Sequence, residues 1–218
     1  MSRQFAVIGL GRLGVSLAST LASLGHDVLG VDSNKDLIQD LSDELHDVHL
    51  VAADATETPV LQDLGLEHFD GAAVVIGGDM QASILVTLIL KELGVPLVIA
   101  RAHSTHHARV LEKIGADQIV QPERDMGAQL ARSVASPSIR DYVDLGGDEA
   151  LLEVEAPRRW VGKSLADLHL YRKSGVTVIA LKSKDREGTL PRGDTVLREG
   201  DVVIIGGPNK KLDELDLS

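Results

Sequence analysis

Over the first 120 residues, short unbroken apolar runs alternate with stretches whose apolar positions recur at helical spacing. Phe5-Ala6-Val7-Ile8 reads as a buried strand, and Val15 to Leu24 as a helix closed by Gly25. Asp27 to Val31 is a second strand. Asp36 to Leu45 is a second helix, with Ser33 or Asn34 placed to cap it. Val48 to Ala52, Ala72 to Ile76, Leu97 to Ala100 and Ile119-Val120 continue the strand series. Helices over Val60–Leu64, about Asp79–Leu93 and Thr105–Ile114 fall between them. The strands are solidly apolar and do not alternate, as expected of a parallel sheet covered on both faces. Strands and helices in strict alternation with short connections predict a Rossmann-like, doubly wound α/β fold.

The pattern changes after Pro122. Glu123 to Ala135 reads as one helix, broken by Ser136-Pro137-Ser138, and a domain boundary is expected near that break. Strands then dominate, at Ala150–Val154, Val176–Leu181 and Asp201–Ile205, with a short helix over Ser164–Leu168. The expected organisation is a nucleotide-binding domain over 1–122, a helix and linker over 123–137, and a small α+β domain over 138–218.

The chemistry concentrates at the carboxyl ends of the strands, where open α/β sheets bind ligands. Gly9-Leu10-Gly11-Arg12-Leu13-Gly14 follows the first strand and opens a helix, and Asp32 ends the next strand 18 residues after Gly14. Gly9 permits the turn, Gly11 admits a diphosphate close to the backbone, and Gly14 lets the helix pack on the strand. Phosphate then lies at the positive end of the helix dipole. Asp32 is placed to accept hydrogen bonds from ribose hydroxyls, with Ser33 beside it. The competing reading is a structural glycine turn with a solvated aspartate. Arg12 could meet a further phosphate, favouring ATP or ADP, or could simply face solvent. Asp54 and Ala55, Gly77 and Arg101 follow the third, fourth and fifth strands; Asp54 could equally cap the short helix after it.

Composition removes several classes of function. The 218 residues carry a net charge of −11. Residues 1–135 hold 9 Lys+Arg against 18 Asp+Glu, and residues 136–218 hold 13 against 15. Such acidity disfavours nucleic acid and anionic lipid as partners, and five aromatic residues are too few for a base-stacking platform. Without cysteine, disulfides and thiolate chemistry are excluded. No apolar run approaches the ~18 residues that would cross a bilayer, and the first strand is too short for a signal sequence, so a cytoplasmic protein is expected. His103, His106 and His107 form the one cluster with metal-like spacing; His106 and His107 diverge by about 100° on a helix, and a solvated helix start is the plainer reading. No Walker-type loop is present. A dehydrogenase would need an acid or base in its second domain, where His169 is the one histidine and has no evident partner.

With those residues in view, the chain resembles the RCK (regulator of K⁺ conductance) regulatory subunits of Ktr/Trk potassium-uptake systems, nearer the Ktr type. The resemblance rests on Gln4–Gly14, Ala53-Asp54-Ala55-Thr56, Gln81-Ala82-Ser83, Val110–Asp117 and Pro122–Gly127, and later on Val161–Leu165 and Arg198–Gly207. It implies RCK N-terminal and C-terminal domains joined by the 123–135 helix as a crossover. It also implies homodimers assembled into an octameric ring on a membrane K⁺ transporter, with nucleotide exchange gating the pore. Gly9, Gly11 and Gly14 would hold phosphates, with Leu13 among the cofactor-binding residues; Arg12 would reach a γ-phosphate, Asp32 would bind ribose, Asp54 would lie at the adenosine end and Arg101 would support the phosphates. Glu123 would help hold a divalent cation such as Mg²⁺, and cyclic di-AMP would be a ligand of the C-terminal domain. NAD(H) is the alternative nucleotide. A sensor serving a cation/proton antiporter and an NAD-dependent oxidoreductase are the competing functions.

Overall fold

A computed structural model describes residues 2–135, 138–183 and 186–217. It resolves into two compact units, residues 1–122 and 123–218. The break expected at Ser136-Pro137 falls outside the described residues.

The first unit is a six-stranded parallel sheet: β1 (Gln4–Ile8), β2 (Asp27–Asp32), β3 (Val48–Ala52), β4 (Gly71–Val74), β5 (Val98–Arg101) and β6 (Gln118–Val120). Their order is β3-β2-β1-β4-β5-β6. Helices α1 (Arg12–Ser23), α2 (Lys35–Ser42), α3 (Thr58–Asp63), α4 (Met80–Glu92) and α5 (Thr105–Lys113) connect them. Two cores explain the solid apolar runs. Ala6, Ile8, Ala72 and Val74 point into one with Leu61, Val86, Leu90 and Leu111. Val7, Val28, Ala73 and Val75 point into the other with Ala18 and Leu41. Successive strand residues face opposite sides, so a sheet covered twice needs both parities apolar. Each fully buried Leu or Val contributes roughly 1.5–3 kcal/mol.

Local signals set the helix ends. The Asn34 side chain accepts from Asp36 and Leu37 N–H to start α2. Asp79 caps α4 through Ala82 N–H, and Ser104 caps α5 through His107 N–H. α1 begins at Arg12, three residues earlier than its apolar spacing suggests, because the glycine loop leads directly into its first turn.

The second unit opens with α6 (Pro122–Ala135), followed by an antiparallel sheet. Its strands are β7 (Ile139–Gly146), β8 (Glu149–Glu155), β9 (Thr177–Ser183), β10 (Arg186–Thr189) and β11 (Val202–Pro208), in the order β10-β9-β11-β8-β7. Short helices α7 (Leu165–Leu168), α8 (Leu170–Ser174) and α9 (Asn209–Asp213) complete it. Ala150, Leu152, Val154, Val203 and Ile205 pack with Trp160 and Leu197. β7, β10, α8 and α9 were not expected from the sequence. β7 carries mostly exposed residues and shifts register twice against β8, so its pattern is blurred. Among the described residues, no helix is long and apolar enough to cross a membrane.

Candidate functional site

β1 lies between β2 and β4, so chains leave it and β4 in opposite directions and open a crevice at their carboxyl ends. The glycine loop sits there. Gly9 has φ +97°, and a Cβ on it would stand 2.8 Å from Ile76 N. A Cβ on Gly14 would lie 1.9 Å from the Gly9 carbonyl oxygen. These two glycines are therefore demanded by the fold, through a turn and a close helix approach. Gly11 is different: φ is −66°, and a Cβ there would meet nothing within 4 Å. Its position is open space at the head of α1, whose first turn has no side-chain cap and no acidic residue. Unpaired N–H groups beside open space form an anion-binding end.

Asp32 buttresses this loop. Its Oδ2 accepts from Leu10 N–H at 2.8 Å and its Oδ1 from Asn34 N–H at 2.9 Å. It is thus a brace, not the solvated aspartate of the competing sequence reading. Each carboxylate oxygen keeps a lone pair with which to accept from a hydroxyl.

Gly9, Gly11, Asp32, Ser33, Asp54, Ala55 and Gly77 line a single cleft of about 350 Å³, within the size range of small-ligand sites. Asp54 does not cap α3, whose N-cap is Glu57. Its carboxylate instead accepts from Thr56 N–H at 2.9 Å and Thr56 Oγ1 at 2.7 Å. The Thr56 hydroxyl, then its amide, hold the Asp54 pKa below the usual carboxylate value. Asp54 is thus a fixed anionic acceptor at the cleft wall.

Arg12, Leu13 and Gly14 are not among the lining residues. Arg12 is exposed at the start of α1, Leu13 packs on the α1-side core, and Gly14 is buried beneath Gly9. Arg101 ends β5, with Nη1 3.6 Å from where a Gly77 Cβ would stand. Glu123 lies in the first turn of α6 and so belongs to the second unit. Asp79, which follows Gly77-Gly78 after the fourth strand, lines the cleft and is also the cap that an Asp before a long apolar helix signals, whereas Ile76 lines it with no signal in the sequence.

The histidines are not three of a kind. His106 is exposed, while His107 is buried and stacks on His103 with ring centroids 5.6 Å apart. Among the described residues, no three His, Asp or Glu side chains gather as a metal site. Gly162-Lys163-Ser164 has the end of a Walker loop, but Pro157 stands where that loop needs its first glycine, and Ser164 caps α7.

Fold and site together define a Rossmann-like nucleotide-binding module followed by a small antiparallel domain. Residues 5–122 match the TrkA-N domain and residues 150–217 the TrkA-C domain. Ktr system potassium uptake protein A of Bacillus subtilis is 39% identical over 97% of this chain and 94% of its own length. Ktr system potassium uptake protein C of the same organism is 40% identical over 95% of this chain and 93% of its own. The chain belongs to the Ktr/Trk family of potassium-uptake regulatory subunits, the RCK proteins. The GsuK channel bound to NAD has the same fold, with a TM-score of 0.71 at 19% identity; this chain aligns over 97% of its length but spans 38% of that one.

Proposed function

We propose that this chain is the nucleotide-responsive subunit of a membrane K⁺ transporter, and that ATP and ADP compete for the cleft of the first unit. The observation that carries the reading is the open space at Gly11. The backbone there is walled by Gly9 and braced by Asp32, and the uncapped first turn of α1 faces no side chain of its own. A diphosphate fits that chemistry, the Asp32 carboxylate suits a ribose diol, and Asp54 stands further along the wall. Such an Asp at the end of β2 disfavours a 2′-phosphate by like charge.

In this reading α6 is the crossover between domains and Glu123 at its start helps hold Mg²⁺. The chains form dimers within an octameric ring on the transporter, and the exposed Arg12 reaches the nucleotide of a neighbouring chain. ATP and ADP differ by one phosphate, and a ring shifts only by the difference in affinity of its two states for each ligand. Cyclic di-AMP is a second regulator, held by the C-terminal domain.

Calorimetric titration of nucleotide-free protein with ATP, ADP, NADH and NAD⁺, with and without Mg²⁺, tests this. Tight ATP and ADP binding with weak NAD(H) is the expected result. Preferential NADH binding would overturn the ATP/ADP assignment and favour the Trk-type alternative, since the Asp32 brace suits the ribose of either ligand. The antiporter-sensor reading shares this site and differs in the membrane partner recovered with the chain.

A further inference from the structure

His107 occupies the third position of α5, and two hydrogen bonds tie it to the residues at that helix's entrance. Ser104 Oγ accepts from His107 N–H at 3.1 Å, and His107 Nδ1 accepts from His103 N–H at 3.3 Å. The arrangement is related to a capping box but shifted by one residue, because the imidazole at the third helical position accepts from the amide before the N-cap, not from that of Ser104 itself. The bond assigns the neutral ring its proton on Nε2, which is buried without a hydrogen-bond partner. The His103 ring lies stacked above it and places Nε2 3.1 Å from the Ile76 carbonyl oxygen, to which its N–H donates. Ile76 in turn lines the cleft, and its backbone is what leaves no room for a Cβ on Gly9.

We propose that the neutral His107 ring is a titratable fastener of the turn leading into α5, and that its protonation frees His103 from Ile76 and weakens nucleotide binding in the cleft. The inference rests on the reading of that cleft as an adenine-nucleotide site. A proton on Nδ1 turns the acceptor into a donor facing the His103 N–H. Burial and the positive end of the α5 dipole oppose the same charge. Burial first, and the charge of His103 second, push the His107 pKa below its usual value.

The elements around the pair carry further charges. α4 brings Asp79, committed to Ala82 N–H, Lys91, bound to Asp117, and Glu92. β5 brings Arg101, β6 carries no charged residue, and α5 adds His106, Arg109, Glu112 and Lys113.

One proton linked to binding makes affinity fall by up to about tenfold per pH unit below the His107 pKa. Titrating ADP into wild type and His107→Gln from pH 7.5 down through the His107 midpoint, read by NMR on the wild-type ring, isolates that slope from the ligand's own titration. Gln keeps an acceptor for the His103 N–H and does not titrate. A slope steeper in wild type than in the variant is expected; equal slopes overturn the proposal. In ligand-free wild-type protein, NMR provides a readout that needs neither the variant nor nucleotide. The Ile76 and Gly77 amide shifts should follow the His107 ring titration, and shifts that do not follow it overturn the proposal. Absence of nucleotide binding even at pH 7.5 would instead sink the function proposed for the cleft, leaving the NMR linkage standing or falling separately.

Discussion

Three glycines of one motif have three different physical reasons to exist, and substitution separates them. Gly14→Ala drives a methyl into the Gly9 carbonyl, 1.9 Å away, where backbone cannot yield cheaply. Upwards of about 2 kcal/mol of stability should be lost in denaturant unfolding. Gly11→Ala meets no atom and keeps an allowed φ of −66°. Its cost as a poorer N-cap, about 0.5–1 kcal/mol, is nearly offset by the reduced freedom of the unfolded chain. The expected outcome is an unchanged unfolding midpoint with nucleotide affinity reduced at least about tenfold, because the methyl occupies the diphosphate's approach. Unchanged affinity in a folded Gly11→Ala protein would remove the main support for the proposed site. The glycine pattern and Asp32 were legible in the sequence; the brace from Asp32 to Leu10 was not, because it joins the end of β2 to the loop after β1, 22 residues away.

Elements are held in register by a few polar fasteners. Asp117, just before β6, accepts from Val98 N–H of β5 at 2.7 Å and from Lys91 Nζ of α4 at 2.8 Å. The Lys91 hydrogen bond is the main cause of its lowered pKa, aided by Val98 and opposed by desolvation. A depressed carboxylate pKa stabilises the fold above the unfolded value, and that stabilisation is lost as pH falls through the folded pKa. Asp117→Asn keeps an acceptor for Val98 but loses the ion pair, which is partly exposed. About 0.5–1 kcal/mol should disappear at pH 7. The gap between mutant and wild-type melting should close as pH drops below about 3.9. A gap that is constant with pH would show the ion pair to be idle. Most helices of the first unit were readable from spacing and caps. In the second unit β7, β10, α8 and α9 were not: β7 pairs through register shifts, and α8 and α9 have five residues each, too few for a helical period to declare itself.

At the scale of the whole molecule, the exposed Arg12 is the residue that the proposed ring would set against a neighbouring copy's nucleotide. If it completes a neighbour's site in a ring, Arg12→Ala should leave ADP affinity within about twofold while removing most of the ATP preference, as a charge-assisted contact to one extra phosphate is worth roughly 1.5–3 kcal/mol. Calorimetry with both nucleotides reads this directly. Equal losses for ATP and ADP would instead make Arg12 a general contributor to the potential at the α1 terminus.

Local sequence determined the doubly wound fold of the first unit, the glycine turn and the position of Asp32. Continuous apolar runs, helical spacing and turn residues are short-range signals that survive without knowledge of neighbours. The three-dimensional arrangement decided which motif residues share the cleft. Gly11, Asp32, Asp54 and Gly77 meet there from four different strand ends, while Gly14 and Leu13 of the same motif turn inward. It also decided that His103 and His107 join the entrance of α5 to the cleft wall through Ile76, since contacts across 27 residues follow from packing and leave no mark in spacing.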